Sequence, residues 1–279
     1  MKRPPESQYT ADIAVILSHG HDNGADYWTT QDRRLLVGSP WSTLQSVMLL
    51  HELGLTAADP FVKGAVDLIF AAWRPDGRFR VAPKGAIYPC HTIHCLRALC
   101  ALGFAKDERV VETFRHLESI KWPDGGWRCN KFSFGRGPET ECSNPHPTLV
   151  ALDAFRYREA RDNFPQLDKA VAFLLDHWTV RRPIGPCHYG IGKLFMQTEY
   201  PFGNYNLFLY VYALSFYPSA RRDPRFLEAL AALESTMQDG QIVVQRTVPA
   251  LSKLNFCRKG EKSDLATQRY REIVRNLAL

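Results

Sequence analysis

The chain has 279 residues and a formal net charge of +6, with 45% hydrophobic and 23% charged residues. This length can bury a large core, as one large or two small domains, and the composition is ordinary for a globular protein. No apolar run approaches the roughly 18 residues that span a bilayer, which excludes a transmembrane segment. Basic residues are spread along the chain, so we expect no nucleic-acid partner.

The N-terminus and the cysteine count predict a cytoplasmic protein. Lys2 and Arg3 are followed by no long apolar core, unlike the start of a signal peptide. The chain has 7 cysteines, an odd number, so a disulfide framework is not expected. Cys95 and Cys100 lie inside a helical pattern, as small buried residues do. The other cysteines that matter lie beside Pro, Gly, His or Asn at predicted helix boundaries: Cys90, Cys129, Cys142 and Cys187.

The first predicted elements form an N-terminal segment over residues 1–38. A frayed tail over 1–10 precedes a short apolar helix from Ala11 to Leu17, and a polar Gly-rich loop follows. The rest of the chain, residues 39–279, is predicted to be one repeat domain.

Helix pairs recur through this domain at about 50 residues per pair. A Pro, with a nearby Ser in the first copy, opens the apolar helix of each pair, and Asp59, Asp107 and Asp223 open three of the more charged partners. The apolar helices are predicted to begin near residues 40, 89, 145 and 200, and their partners near 59, 107, 167 and 223. A last helix over Ser263–Leu277 is predicted to be the first half of a fifth pair.

One turn sequence separates several of these pairs. It reads Trp-Pro-Asp-Gly-Gly-Trp over 122–127, with weaker copies over 73–79 and 238–241. A segment that recurs with its surroundings marks a repeat. Strands are scarce, and Gln241–Val244 is the one candidate. The sequence therefore predicts an all-α protein.

The apolar helix of each pair is predicted to be buried and its partner exposed. Residues 206–217 are almost all Leu, Phe, Tyr, Val and Ala, as in a helix surrounded by protein. Alternating buried and exposed helices describe two concentric rings. Parallel inner helices would bring all their N-termini to one end.

This pattern resembles the α/α toroid of protein prenyltransferase β subunits and squalene–hopene-type cyclases. The resemblance covers about residues 39–279 and is carried by the turns over 122–127 and 73–79, the Asp-Pro helix starts at Asp59 and Asp223, and the recurring helix pairs. It implies a toroid of about five helical hairpins, complete or incomplete as a ring. The chain is also similar to small stand-alone bacterial repeat proteins of this superfamily that have no assigned reaction.

The resemblance also implies a function. It implies an enzyme that acts on an isoprenoid or similar lipid chain in a central cavity, by metal-assisted prenyl transfer or cyclisation. The alternative is a non-catalytic toroid scaffold that binds a lipid or a protein. The sequence does not identify a protein partner.

The chain departs from the characterised members where their chemistry resides. It has neither an Asp-x-Asp-Asp acid run nor an Asp-Asp-x-x-Asp magnesium motif. The prenyltransferases hold zinc through an Asp and a Cys at the start of one inner helix. Cys142 lies at a comparable start, but Thr140 stands where the Asp would be. Asp153 and His94, on two inner helices, are the candidate catalytic residues.

Thiols and imidazoles are predicted to gather at the N-terminal end of the inner helices. The candidate metal ligands are Cys90, His91, Cys129, Cys142, Cys187 and His188. Thiolate and imidazole together suit zinc or iron, and four cysteines suit an iron–sulfur cluster. Two other interpretations stay open, namely scattered buried cysteines with capping histidines, and a covalent thiol nucleophile.

Basic and aromatic side chains complete the predicted site. Anions favour helix N-termini, so we expect basic side chains in the nearby loops to hold a diphosphate head group. Tyr205 and Tyr212 are expected to line an apolar cavity and to stabilise a carbocation. A solvated basic rim and an ordinary aromatic core are the competing interpretations. The basic residues are Arg128, Lys131, Arg136, Arg181, Arg182 and Lys193.

Overall fold

The computed structural model of the protein describes residues 8–158 and 165–279. Those residues form eleven α-helices and no β-strand, which confirms the predicted all-α class. Gln241–Val244 was the one strand candidate, and it makes only isolated bridges, between Gln241 and Gln238 and between Val243 and Lys262. Residues 1–7 of the predicted frayed tail lie outside the described residues.

The chain divides into two compact units. The first runs to Ser119 and includes Lys253–Phe256, and the second comprises Ile120–Ser252 and Cys257–Leu279. The helices of the first unit are α1 (Thr10–Ser18), α2 (Thr43–Glu52), α3 (Pro60–Ala71), α4 (Pro89–Ala101) and α5 (Glu108–Ser119). The helices of the second unit are α6 (Pro145–Phe155), α7 (Pro165–Val180), α8 (Leu207–Leu214), α9 (Pro218–Arg221), α10 (Pro224–Glu234) and α11 (Asp264–Leu277).

Capping side chains shift two helix starts from their predicted places. The first apolar helix begins at Thr43 because Ser42 Oγ accepts the N–H of Gln45 at 3.4 Å. The fourth begins at Leu207, not near residue 200, because Asn206 Oδ1 accepts the N–H of Leu209 at 2.9 Å.

Burial alternates along the helices of the second unit. Every residue of α6 and of α8 is buried. By contrast, α10 buries one stripe, formed by Phe226, Ala229, Leu230 and Leu233 at helical spacing. The buried helices contact each other, and α6 also packs on α7 while α8 packs on α10 and α11. In the first unit α2 packs on both α3 and α4, and α4 packs on α5.

Each Asp-Gly turn lies between the second helix of one pair and the first helix of the next, and each needs its glycine. Gly77, Gly125 and Gly240 have φ angles of +79°, +88° and +72°. This left-handed region is open to glycine and costs other residues about 1–2 kcal/mol. The three turns share one backbone conformation at this position, as a repeat requires.

The residue two places after each of these glycines is anchored in the same way. Its backbone N–H donates to a threonine hydroxyl at the fourth residue of the following helix, and a buried N–H needs such a partner. The recurrence of the bond makes the sequence repeat a structural one. The bonds run from Phe79 N to Thr92 Oγ1 (3.2 Å), from Trp127 N to Thr148 Oγ1 (3.0 Å) and from Ile242 N to Thr267 Oγ1 (3.0 Å).

The equivalent position of α2 shows what the turn contributes. Ser46 is the fourth residue of α2, and no Asp-Gly turn precedes this helix. Its hydroxyl is buried and has no hydrogen-bond partner. The hydroxyl at the fourth helical residue therefore has a hydrogen-bond partner at the three helices that follow an Asp-Gly turn, and it has none at α2.

Replacing Gly125 should destabilise the protein more than replacing Gly240. A Cβ at Gly125 would lie 2.4 Å from Lys169 Cβ and 2.8 Å from the Ala170 nitrogen in α7, whereas a Cβ at Gly240 would meet nothing within 4 Å. We expect Gly125→Ala to lower the free energy of unfolding by about 2–4 kcal/mol, from backbone strain plus overpacking. Gly240→Ala carries the strain alone and should cost about 1–2 kcal/mol. Urea unfolding measures both, and equal losses would contradict the packing of the central turn on α7.

Candidate functional site

Two loops of the second unit build the candidate site. The first, here called the central loop, is residues 128–144, between the central Asp-Gly turn and α6. The second, the α7 hairpin, is residues 181–191. The backbone N–H of Gly185 in the hairpin donates to the backbone oxygen of Glu139 in the central loop at 2.8 Å. This bond holds segments that are distant in sequence against each other.

Backbone hydrogen bonds also hold the α7 hairpin closed on itself. Ile184 and Tyr189 exchange two N–H···O bonds, of 3.0 and 3.1 Å, and His188 N donates to Gly185 O at 2.9 Å. His188 has a φ of +58°, in the left-handed region that few residues other than glycine adopt. The turn therefore fixes the backbone of an exposed histidine at the hairpin tip.

A cleft of about 480 Å³ lies between the two loops. Arg182 contributes a permanent positive charge, and His188 contributes an imidazole that can donate or accept a hydrogen bond. Glu139 is the acidic member of the lining, and its carboxylate folds back towards Gly137. The lining residues are Pro138, Glu139, Arg182, Pro183 and His188. His188, predicted to bind metal, thus lines the cleft.

Three of the predicted thiol ligands lie on these loops. The Cys187 sulfur lies 3.2 Å from the backbone oxygen of Cys129 and 3.3 Å from that of Phe132. It also lies within hydrogen-bonding range of the Cys129 thiol. The Cys142 thiol donates to the backbone oxygen of Glu139 at 3.4 Å. None of the seven cysteines forms a disulfide bond. The structure therefore brings Cys129 and Cys187 together and places Cys142 on the same loop as Cys129.

Asn144 links the thiol pair to the start of α6. Its side chain is fully buried, and Oδ1 accepts the backbone N–H of Cys129 at 2.6 Å. Its Nδ2 has no hydrogen-bond partner of good geometry and faces the Cys187 thiol. A Cβ at Gly185 would lie 3.1 Å from Asn144 Cα, so only glycine allows the hairpin this close.

Burial raises the pKa of two of these thiols, which keeps both protonated near neutral pH. Desolvation raises the pKa of Cys187, against the opposing effect of a hydrogen bond with the backbone of Phe132. Desolvation likewise raises the pKa of Cys142, opposed by a hydrogen bond with the backbone of Gly185. The thiolate is the form that attacks electrophiles and binds metals. In the part of the chain that the structure describes, no three His, Cys, Asp or Glu side chains are placed to hold a metal ion.

Three other predicted residues lie on α4 of the first unit. His91 is buried, and its ring meets the Tyr88 ring edge-on at 5.4 Å. Cys90 and His94 are half-buried. The described geometry around the cleft is supplied by the second unit alone.

Asp153 and Tyr212 belong to a buried charge network. Arg156 Nε donates to Asp153 Oδ1 at 2.7 Å, and its guanidinium lies over the rings of Tyr212 and Phe216 at 5.1 and 4.2 Å. The Tyr212 hydroxyl donates to Glu272 at 2.6 Å. Asp153 therefore serves this ion pair, and it lies about 12 Å along α6 from the helix start.

Tyr205 supports the α7 hairpin through a histidine that the sequence did not single out. Because the Arg182 backbone oxygen can only accept, His177 Nε2 donates to it, at 3.1 Å. His177 Nδ1 then accepts from the Tyr205 hydroxyl at 2.9 Å. Burial lowers the pKa of His177 to about 4, which keeps this neutral tautomer. A histidine in the last turn of a predicted helix gives no sequence signal for this role.

A ring cluster surrounds Tyr205 beneath the hairpin. The His146 ring lies 5.5 Å from that of Tyr189 and 6.2 Å from that of Tyr205, and Phe195 lies 4.7 Å from Tyr205. Tyr205 is only 7% exposed. It therefore packs in the core under the cleft.

The predicted basic residues divide between the protein and the solvent. Arg128 lies over the Trp122 ring at 4.7 Å and reaches Glu141 at 3.5 Å. Lys131, Arg136 and Lys193 are exposed. Among the six basic residues predicted to hold a head group, Arg182 is the one that lines the cleft.

A comparison with protein-family models gave no match, and neither did a comparison with curated proteins. The prenyltransferase and cyclase resemblance therefore stays a prediction from the turn motifs and helix pairs. Among the described residues no helix is long and apolar enough to cross a membrane.

Acidification should destabilise the protein through His177. Its pKa is about 4 in the folded protein, against an ordinary value of 6.5. Its contribution is fully present above pH 6.5 and is lost as the pH falls towards 4, to a total of about 3 kcal/mol. Urea unfolding between pH 7 and pH 4 measures the loss. His177→Gln, which cannot titrate, should flatten the curve, and an unchanged pH dependence would show that this histidine is not buried neutral.

The thiols should react slowly with iodoacetamide. We expect alkylation of Cys142 and Cys187 to rise only as the pH passes the ordinary thiol value of 9, because both pKa values are raised. Mass spectrometry of the two peptides between pH 7 and 10 follows the rate, with urea-unfolded protein as the reference. A rate that already levels off near pH 7 would indicate a thiolate site instead.

Proposed function

We propose that the protein binds an isoprenoid or comparable lipid through its anionic head group, in the cleft between the central loop and the α7 hairpin. The observation that carries this proposal is the lining of the cleft. Arg182 and His188 both face a space of about 480 Å³ that two hydrogen-bonded loops keep open. A guanidinium offers several N–H donors to phosphate oxygens, in a geometry that fits two of them at once.

The size and the walls of the cleft support a small-molecule ligand. Binding sites for small molecules occupy about 300–1,000 Å³, and this cleft lies within that range. Pro138 and Pro183 supply apolar contacts that a methylene chain can cover. The carboxylate of Glu139 folds back towards Gly137, which leaves Arg182 as the permanent charge available to an anion.

The reaction that the resemblance implies is prenyl transfer or cyclisation in the cavity of a toroid. The recurring helix pairs and their shared turn bonds support a toroid as the arrangement. Protonated thiols and the ion-paired Asp153 offer no activated nucleophile or acid beside the cleft, which favours the non-catalytic lipid-binding alternative. Among the described residues, no three His, Cys, Asp or Glu side chains are close enough together to bind zinc or iron. The proposal therefore includes no metal-dependent step. Elemental analysis of the purified protein tests the predicted metal.

Titration calorimetry with three probes tests the proposal. We expect farnesyl diphosphate to bind, inorganic diphosphate to bind more weakly, and farnesol to bind at least about tenfold more weakly than the diphosphate ester. Arg182→Gln should weaken diphosphate binding by about tenfold or more, because it removes charge-assisted hydrogen bonds. Arg74→Gln, an exposed arginine of the first unit, is the matched control. Equal affinity of Arg182→Gln and the unmodified protein would overturn the proposal, as would the absence of any binding.

A further inference from the structure

The tip of the central loop presents two aromatic side chains to solvent. Phe132 and Phe134 are 49% and 69% exposed. Their rings are stacked, with centroids 5.5 Å apart and planes within 9° of each other. They form one continuous apolar surface, and an exposed patch of this kind commonly marks an interaction site.

The backbone of this tip is fixed to the α7 hairpin. Phe134 N donates to the backbone oxygen of Pro186 at 3.0 Å, and the Cys187 thiol lies 3.3 Å from the oxygen of Phe132. Both phenylalanines therefore project from anchored positions. A surface that is already ordered loses less conformational entropy when it binds.

The charge around the two rings is positive. Lys131 and Arg136 flank them and are exposed, and the Lys131 ammonium lies 5.2 Å from the centre of the Phe132 ring. No acidic residue occurs between residues 130 and 138. The tip thus combines an apolar surface with cations on both sides.

We propose that this tip, residues 131–136, docks on the surface of an anionic lipid bilayer. Phe132 and Phe134 enter the interface between head groups and acyl chains, while Lys131 and Arg136 contact lipid phosphates. Aromatic and basic side chains together are the combination that binds such interfaces. The docking uses residues other than those of the proposed cleft ligand, so it does not depend on that proposal.

The area of the tip favours a bilayer over a protein partner. Two partly exposed phenylalanine rings present a few hundred Å² at most, since each side chain buries about 150–250 Å² in total. A specific protein interface buries at least about 1,000 Å². A bilayer accepts two side chains at a point and needs no matching surface, and its anionic phosphates complement the flanking cations.

Co-sedimentation with vesicles tests the docking. We expect the protein to sediment with vesicles of equal parts phosphatidylcholine and phosphatidylglycerol, and at least about tenfold less with phosphatidylcholine alone, because the cations need anionic head groups. Binding should weaken as salt is raised. A protein that stays in the supernatant with the anionic vesicles at low salt would overturn the proposal.

Matched variants assign the binding to the tip. The double variant Phe132→Ser/Phe134→Ser should lose at least about tenfold in vesicle affinity while its circular dichroism is unchanged. Phe61→Ser, at a phenylalanine that is 50% exposed on α3, is the control and should bind as the unmodified protein does. Vesicle binding retained by the double variant would overturn the proposal. The double variant should also keep its affinity for farnesyl diphosphate, and Arg182→Gln its affinity for vesicles, which separates this test from that of the cleft.

Discussion

A threonine hydroxyl that accepts the backbone N–H just after each Asp-Gly turn is the interaction on which the fold depends. A buried N–H left without a partner costs about 1–3 kcal/mol, so the turn and the helix that follows it are tied together. The bond recurs at three joints, which are the turns at Gly77, Gly125 and Gly240 together with the helix that follows each. A left-handed glycine precedes the bond each time. At the central joint Asp124 adds a second tie, because its carboxylate accepts the N–H and the hydroxyl of Ser143 at 2.7 and 2.6 Å.

The candidate site follows from these ties. Hydrogen bonds fix Trp127 and Ser143, so both ends of the central loop lie beside the central turn. The middle of the loop contacts the α7 hairpin. Glycine at position 185 allows the hairpin to approach the start of α6, and the bond from Gly185 to Glu139 completes the contact. The cleft with Arg182 is the space that remains between two fixed loops. His177 holds the Arg182 backbone in place, because its ring accepts a hydrogen bond from the Tyr205 hydroxyl and donates one to the Arg182 backbone oxygen.

The sequence predicted what local chemistry determines. Asp-Pro starts placed α3 and α10, and the Asp-Gly turns placed the joints. The first helix of each pair was predicted to be buried, which holds for α6 and α8. The contact between the central loop and the α7 hairpin could not be predicted from the sequence, because it is formed by backbone hydrogen bonds that no side-chain pattern indicates. The sequence could have predicted the partner of Asp153, since Arg156 stands three residues later, at the C-cap of the same helix. The sequence predicted that Cys129 and Cys187 share one end of the inner helices, and the Cys187 sulfur lies 3.2 Å from the backbone oxygen of Cys129. The raised pKa of Cys187 comes from its burial.

Unfolding measurements on three threonine variants test the central claim most directly. Thr92→Val, Thr148→Val and Thr267→Val keep the shape of the side chain and remove the acceptor of the turn N–H. Each should lower the free energy of unfolding in urea by about 1–3 kcal/mol. Thr179→Val, at an exposed threonine of α7 that lies outside the joints, should change it by less than about 0.5 kcal/mol. Losses at the three joints no larger than at Thr179 would contradict the account.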